Sequence, residues 1–139
     1  KITDALRTQF GYHLFMDKNA NWDGREDLVD NNLYEISLGA EYDINEMFTV
    51  SAGYLMGRTG VSESYQDNLS FSLSSNTIGL GAQVNLSEAL SLDLGFAKMM
   101  YMDSDENVPA DATAGTVAHI TNYDKDGYMF AIGVSYSLF

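Results

Sequence analysis

Cysteine is absent, which excludes disulfide staples, thiol chemistry and every cysteine-based metal site. Proline occurs once, at Pro109, in a chain otherwise rich in Gly, Ser, Tyr and Phe, a balance foreign to helical domains. Basic residues are scarce: 7 Lys and Arg stand against 20 Asp and Glu, a formal net charge of −13. Such an acidic surface lacks the basic face that phosphates require, so nucleic acid is excluded as a partner. No apolar run approaches the ~20 residues of a membrane-spanning helix. Lys1 to Thr8 also lack the apolar stretch of a secretion signal, so one is expected to have been cleaved or to lie upstream in a longer chain. The 139 residues allow one domain, 1–139.

What the sequence does contain is alternation with period 2, the mark of strands with two different faces. Tyr34, Ile36, Leu38, Ala40, Tyr42 and Ile44 are apolar or aromatic, while the odd positions between them are charged, small or polar. The same parity continues through Phe48 to Met56, Ile78 to Leu86, Leu90 to Phe96 and Tyr128 to Leu138, with a weaker copy from Leu6 to Leu14. Six strands follow, at roughly 5–16, 47–58 and 90–103 running one way and 32–44, 75–86 and 126–138 the other. They are longer than the ~5–6 residues usual in soluble sheets and close to the ~9–11 that cross a bilayer when tilted.

The strands are internally related. Gly11, Gly53 and Gly95 recur every 42 residues, each followed by an aromatic, and Gly39 and Gly81 repeat at the same offset. The period holds two long strands, so the repeating unit is a hairpin rather than a propeller blade. Connections alternate in length. Asn45 to Met47 and Ser87 to Ala89 are three-residue turns that preserve parity, whereas 17–31, 59–74 and 104–125 are long and polar. Sorting of short turns to one end and long loops to the other is the habit of bacterial outer-membrane barrels. The alternative, a half-exposed antiparallel sheet in a soluble protein, also alternates but has no reason to sort its loops. The even face, aliphatic in the middle with aromatics towards the ends, suits lipid with interfacial girdles. The odd face, with Arg7, Gln9, Glu35, Glu41, Asp43, Gln83 and Asp93, suits a hydrated lumen. The fold class expected is therefore all-β, an antiparallel up-and-down transmembrane β-barrel.

The segment from Gly133 through Tyr136 to Leu138, closed by Phe139, resembles the terminal strand that the outer-membrane assembly machinery reads, although Phe139 is out of phase and Leu138 fills the in-phase place. Phe139 is accordingly expected at the tight-turn end. More widely, the run Gly11 to Trp22 followed by Asn32 to Ile44 resembles the C-terminal part of the outer-membrane long-chain fatty-acid and hydrophobic-compound transporters (FadL/TodX-like). The resemblance implies a fourteen-stranded barrel with an N-terminal plug, a bacterial outer-membrane location, and passive uptake of a hydrophobic small molecule. It places these residues as the last six strands, with the remaining strands and plug of the parent barrel as partners beside outer-membrane lipid and lipopolysaccharide. Six strands cannot close alone, since bacterial barrels start at about 8. A structural scaffold or a general polar pore is the alternative function.

Catalytic chemistry finds little footing. His13 falls on the odd face and His119 in the last long loop, and no Ser or Asp motif accompanies either, so a Ser/His lipid hydrolase and enzymatic activity in general are not expected. Arg7 near Glu41, Asp43 and Asp93 reads as a structural ion-pair cluster at the tight-turn end. Met99, Tyr101 and their neighbours Met100 and Met102 form an apolar group below the last loop, either loop packing or, with His13, part of a vestibule for a greasy ligand. Lys98 interrupts the apolar even face near the outer interface, where it is expected to snorkel to lipid phosphates. Asn19, Asn21, Asp23, Asp27 and Asp30, with Gly24 at the sixth place, match the spacing of a calcium loop. Asn, Asp and Gly also make ordinary turns, so the spacing leaves Ca²⁺ and plain turn formation both open; no other cofactor is expected.

Overall fold

The computed structural model describes residues 3–67, 69, 71–113 and 115–137. Six long strands form one antiparallel sheet: β1 (Leu6–Phe15), β2 (Leu33–Asp43), β3 (Phe48–Arg58), β4 (Ser75–Asn85), β5 (Leu90–Tyr101) and, after an inserted hairpin of β6 (Ser104–Val108) and β7 (His119–Tyr123), β8 (Asp126–Tyr136). Spatial order follows chain order, β1-β2-β3-β4-β5-β8, an up-and-down meander. Each register pairs even with even and odd with odd: Leu38 opposes Phe10 and Tyr54, and Leu80 opposes Ala52 and Phe96. A one-residue slip anywhere would swap a strand's faces, so the alternation in the sequence is what holds this register across the whole sheet.

The 42-residue repeat is visible as repeated turn chemistry. In the β2–β3 turn the Asn45 side-chain oxygen accepts the backbone N–H groups of Met47 and Phe48, both at 2.9 Å. In the β4–β5 turn the equivalent residue, Ser87, accepts the Ala89 N–H at 3.3 Å. Short polar side chains folding back on the next backbone groups are what make such turns tight. Neighbouring units are joined at this end by matching bonds from Asp43 to Ala5, Asn85 to Met47 and Ser137 to Ala89.

At the opposite end the three long connections pack on one another. Val29 forms a β-bridge with Val61, and Phe71 stacks at 5.4 Å on Tyr123. Gln66 ties its own loop by donating to the Ser72 carbonyl (3.0 Å) and accepting the Ser72 N–H (2.9 Å). Val29, Gln66 and Tyr123 are only 5–6 % exposed, whereas the sheet's even face is bare, with Phe130 and Ile132 each 78 % exposed. Among the described residues the buried apolar side chains, Val29 and Tyr123, therefore lie in the loop cluster, and the apolar face of the sheet stands open.

One expectation changes and one is not reached. The segment 104–125 is not a plain loop but carries β6 and β7; its strands have no apolar face to announce them, and Pro109, unable to extend a ladder, marks where β6 stops. The placement of Leu138 and Phe139 lies outside the described residues. The six-stranded antiparallel sheet itself is as expected, with strand ends within a residue or two. Among the described residues, β1 and β8 are its two edges and do not pair with each other.

Candidate functional site

The odd face carries the polar side chains, arranged in tiers by the register. Nearest the tight turns, the Arg7 guanidinium donates to Glu41 Oε1 at 2.7 Å and forks onto both oxygens of Asp43 at 2.5 and 2.6 Å. Asp43 also accepts the hydroxyl of Thr49 at 2.8 Å, and Thr49 is buried. The cluster arises because strand pairing sets Arg7 opposite Glu41 and Asp43 opposite Thr49. Asp93, expected in this ion-pair set, stands apart from it. It is three strands away on β5, where it accepts the Gln83 amide at 2.8 Å and faces the Ser135 hydroxyl at 3.5 Å. Two separate polar clusters thus brace the same end of the sheet. Because Arg7 and Asp43 are 40 % and 31 % exposed, solvent screens their attraction. A cycle of Arg7→Ala, Asp43→Ala and the double variant should return a favourable coupling in denaturant titrations that shrinks as salt is raised; strict additivity would show that the fork contributes nothing.

The middle tier is nearly bare of side chains. Gly39, Gly53 and Gly79 are consecutive partners across β2, β3 and β4, and Gly81 is paired with both Ser51 and Gly95. Gly39, Gly53, Gly79 and Gly81 line a shallow depression of about 550 Å³, together with Arg7, Gln9 and Glu41. A Cβ added at Gly11 would overlap the Ser37 hydroxyl, and one at Gly81 the Ser51 hydroxyl. The serines occupy the space that the glycines leave.

The upper tier, beneath the loops, contains the three residues expected to line a ligand route. Successive pairing places His13, Glu35, Gly57, Ser75 and Tyr101 at one height. His13 and Tyr101 nevertheless lie four strand spacings apart, roughly 19 Å at ~4.8 Å each. His13 is exposed, with Nδ1 3.4 Å from Glu35 Oε2 and its ring edge-on to Phe15. Met99 and Tyr101 do meet: the Tyr101 hydroxyl donates to Met99 Sδ at 3.9 Å, Met99 lies over Gly127, and Lys125 Nζ sits 4.8 Å from the Tyr101 ring centroid. His13 is not part of that group. His119 donates from Nδ1 to the Val117 carbonyl, at 2.8 Å, well away on β7.

In the first loop, Asn21 Oδ1 accepts the Asp23 N–H at 2.9 Å, and Asp23 and Gly24 turn the chain with φ of 55° and 86°. Glu26 Oε1 accepts the N–H groups of Trp22 and Gly24. Backbone donors, its own among them, hold the Glu26 carboxyl below the usual glutamate range. Asp30 is engaged through its backbone, donating to Gly60 and accepting the Lys18 ammonium. Among the described residues no three His, Asp or Glu side chains gather as cation ligands. The bonds of Asn21, Asp23 and Asp30 are those of a turn-rich loop tied to its neighbour, and Asn19 and Asp27 lie along the same segment in its two short 3₁₀ turns.

Residues that the alternation did not single out also matter here. Tyr123 donates to Glu106 Oε2 at 2.8 Å, and this bond, with burial, raises its phenol above the ordinary range. Arg58, at the loop end of β3, donates to the carbonyls of Gly57 and Ser75 and to Asn76 Oδ1; the parity of β3, carried on past Met56, was the available signal for it. No protein-family model matches this chain, and none of the curated proteins is significantly similar to it.

Proposed function

We propose that this chain is the C-terminal six-strand portion of a bacterial outer-membrane β-barrel through which small hydrophobic compounds, long-chain fatty acids among them, enter by diffusion. The observation that carries the reading is the contrast between faces: one continuous bare apolar surface, and behind it a polar surface braced by Arg7, Asp43, Gln83 and Asp93. On β8 the aromatics Tyr128 and Tyr136 are eight residues apart, roughly 27 Å along a strand at ~3.4 Å per residue. At a tilt of about 40° that becomes near 20 Å of height, comparable with the ~25 Å apolar band of such barrels. In this reading the open edges of β1 and β8 are met by the other strands of the parent barrel, since an unpaired backbone group in hydrocarbon costs several kcal/mol.

Selection of greasy ligands is supported by the Met99–Tyr101 pair over Gly127, a soft apolar patch at the mouth beneath the loops. The specific support for a general polar pore instead is the hydrated character of the remaining odd face. Uptake of labelled fatty acid, measured in cells with and without the full-length gene beside flux of a small sugar, separates the two. The expected result is loss of fatty-acid uptake on deletion with sugar flux unchanged. Equal loss of both would favour the pore, and loss of neither would leave a structural role for the barrel.

A further inference from the structure

Arg58 and Lys98 are the only basic residues at even positions of the six long strands, and both lie towards the loop end of the apolar face. Among the described residues neither forms an ion pair, in contrast to Arg7 on the opposite face. Neutral groups hold them. Lys98 Nζ lies 5.5 Å from the Tyr128 ring centroid. The Arg58 guanidinium, with five N–H donors, uses three of them on the carbonyls of Gly57 and Ser75 and on Asn76 Oδ1, at 2.8 to 3.1 Å. Tyr54 donates to that same Asn76 oxygen at 2.7 Å. Pairing sets Tyr54, Ile78, Lys98 and Tyr128 in one row across β3, β4, β5 and β8. The result is an aromatic row carrying unpaired positive charge in a chain whose net charge is −13. The aromatics at the other end of this face, Tyr42, Phe48 and Tyr136, have no basic neighbour on it. Asp126, one row nearer the loops on β8, is the only acid on the face and opposes Met100.

We propose that Lys98 with Tyr128, and Arg58 with Asn76 and Tyr54, hold the phosphate headgroups of anionic lipid along the loop-side edge of the apolar face. The inference rests on the membrane reading above and adds to it a lipid class and a side. Charge without an anionic protein partner at the rim of a hydrocarbon-facing surface is satisfied where phosphates lie, and aromatic rings favour the same depth. The two unused guanidinium donors are free for a phosphate oxygen. Confinement of both cations to one end predicts that only the lipid at the loop side is selected.

The test uses the full-length protein reconstituted in phosphatidylcholine vesicles with and without phosphatidylglycerol, reading association of spin-labelled forms of each lipid. Wild type should prefer phosphatidylglycerol. Lys98→Gln and Arg58→Gln should each lower that preference about fivefold, the equivalent of ~1 kcal/mol per basic residue at an anionic surface. Lys98→Arg should keep it, Asp126→Asn should raise it, and inorganic phosphate should not compete at concentrations that leave the bilayer intact. Insertion with no preference, or a preference untouched by both neutral variants, overturns the headgroup site and leaves the membrane reading standing. Competition by inorganic phosphate alone overturns it in favour of a soluble-anion site. Failure to associate with either bilayer overturns both readings.

Discussion

Arginine in place of Leu80 or Ile132 is expected to cost about 2–4 kcal/mol of stability in a bilayer, the penalty for a guanidinium at mid-depth on a lipid-facing strand. Both positions lie in the middle of the apolar face, Leu80 between Ala52 and Phe96 and Ile132 opposite Leu94. They are already exposed within the protein, 56 % and 78 %, so the same changes in a water-facing sheet would move stability by no more than ~0.5 kcal/mol. The size of the effect therefore reports what covers this face. Gly81→Ser, on the opposite side of the same strand, should cost much less, although the Ser51 hydroxyl must rotate away because an added Cβ would overlap it. Refolding titrations in lipid vesicles measure all three. Near-zero changes for both arginines would show that the face is not in hydrocarbon, as would a spin label at position 80 that proved open to water.

The long strands and their faces were legible because period 2 is written locally, and because every turn that keeps parity passes it to the next strand. Ile44 and Phe48 on either side of one turn carry the even face from β2 to β3, and Leu86 and Leu90 on either side of the other carry it from β4 to β5. Arg7 near Glu41 and Asp43 was equally open to reading, since pairing across a short-turned sheet follows from register. Asp93 was misplaced because charge and parity give its height on the sheet but not how many strands separate it from Arg7. The hairpin of β6 and β7 and the loop cluster left no such mark. Ser104 to Val108 alternates without an apolar side, and the Val29–Val61 bridge joins two segments through backbone geometry that composition does not encode. In the first loop, the oxygens of Asn21 and Glu26 close backbone turns, and spacing alone does not separate turn from cation ligand. Arg58 and Lys98 show the converse. Each breaks the even pattern, and each gains meaning only once the register reveals what stands beside it.

Gly60→Ala should unlock the loop cluster while leaving the sheet intact. Gly60 is buried, and its carbonyl accepts the N–H groups of Asp30 and Asn31 at 2.8 and 2.9 Å. Those bonds bring the two backbones so close that a Cβ on Gly60 would overlap the Asn31 carbonyl, which is backbone and has no rotamer to yield. The first loop must then withdraw from the second. Withdrawal breaks both bonds, the Val29–Val61 bridge and the bond from the Ser62 N–H to the Leu28 carbonyl, and it exposes Val29. Three hydrogen bonds worth about 1 kcal/mol each, with ~1.5 kcal/mol for a buried valine, make a local loss of about 4.5 kcal/mol. Hydrogen exchange at the amides of Asp30, Asn31 and Ser62 should accelerate roughly a thousandfold on that estimate. Amides in the middle of β3 and β4, held by strand pairing on both sides, should keep their protection. Acceleration throughout the sheet would mean that the loops and strands unfold as one unit. Unchanged exchange at Asp30 and Asn31 would mean that the two loops are not joined at Gly60.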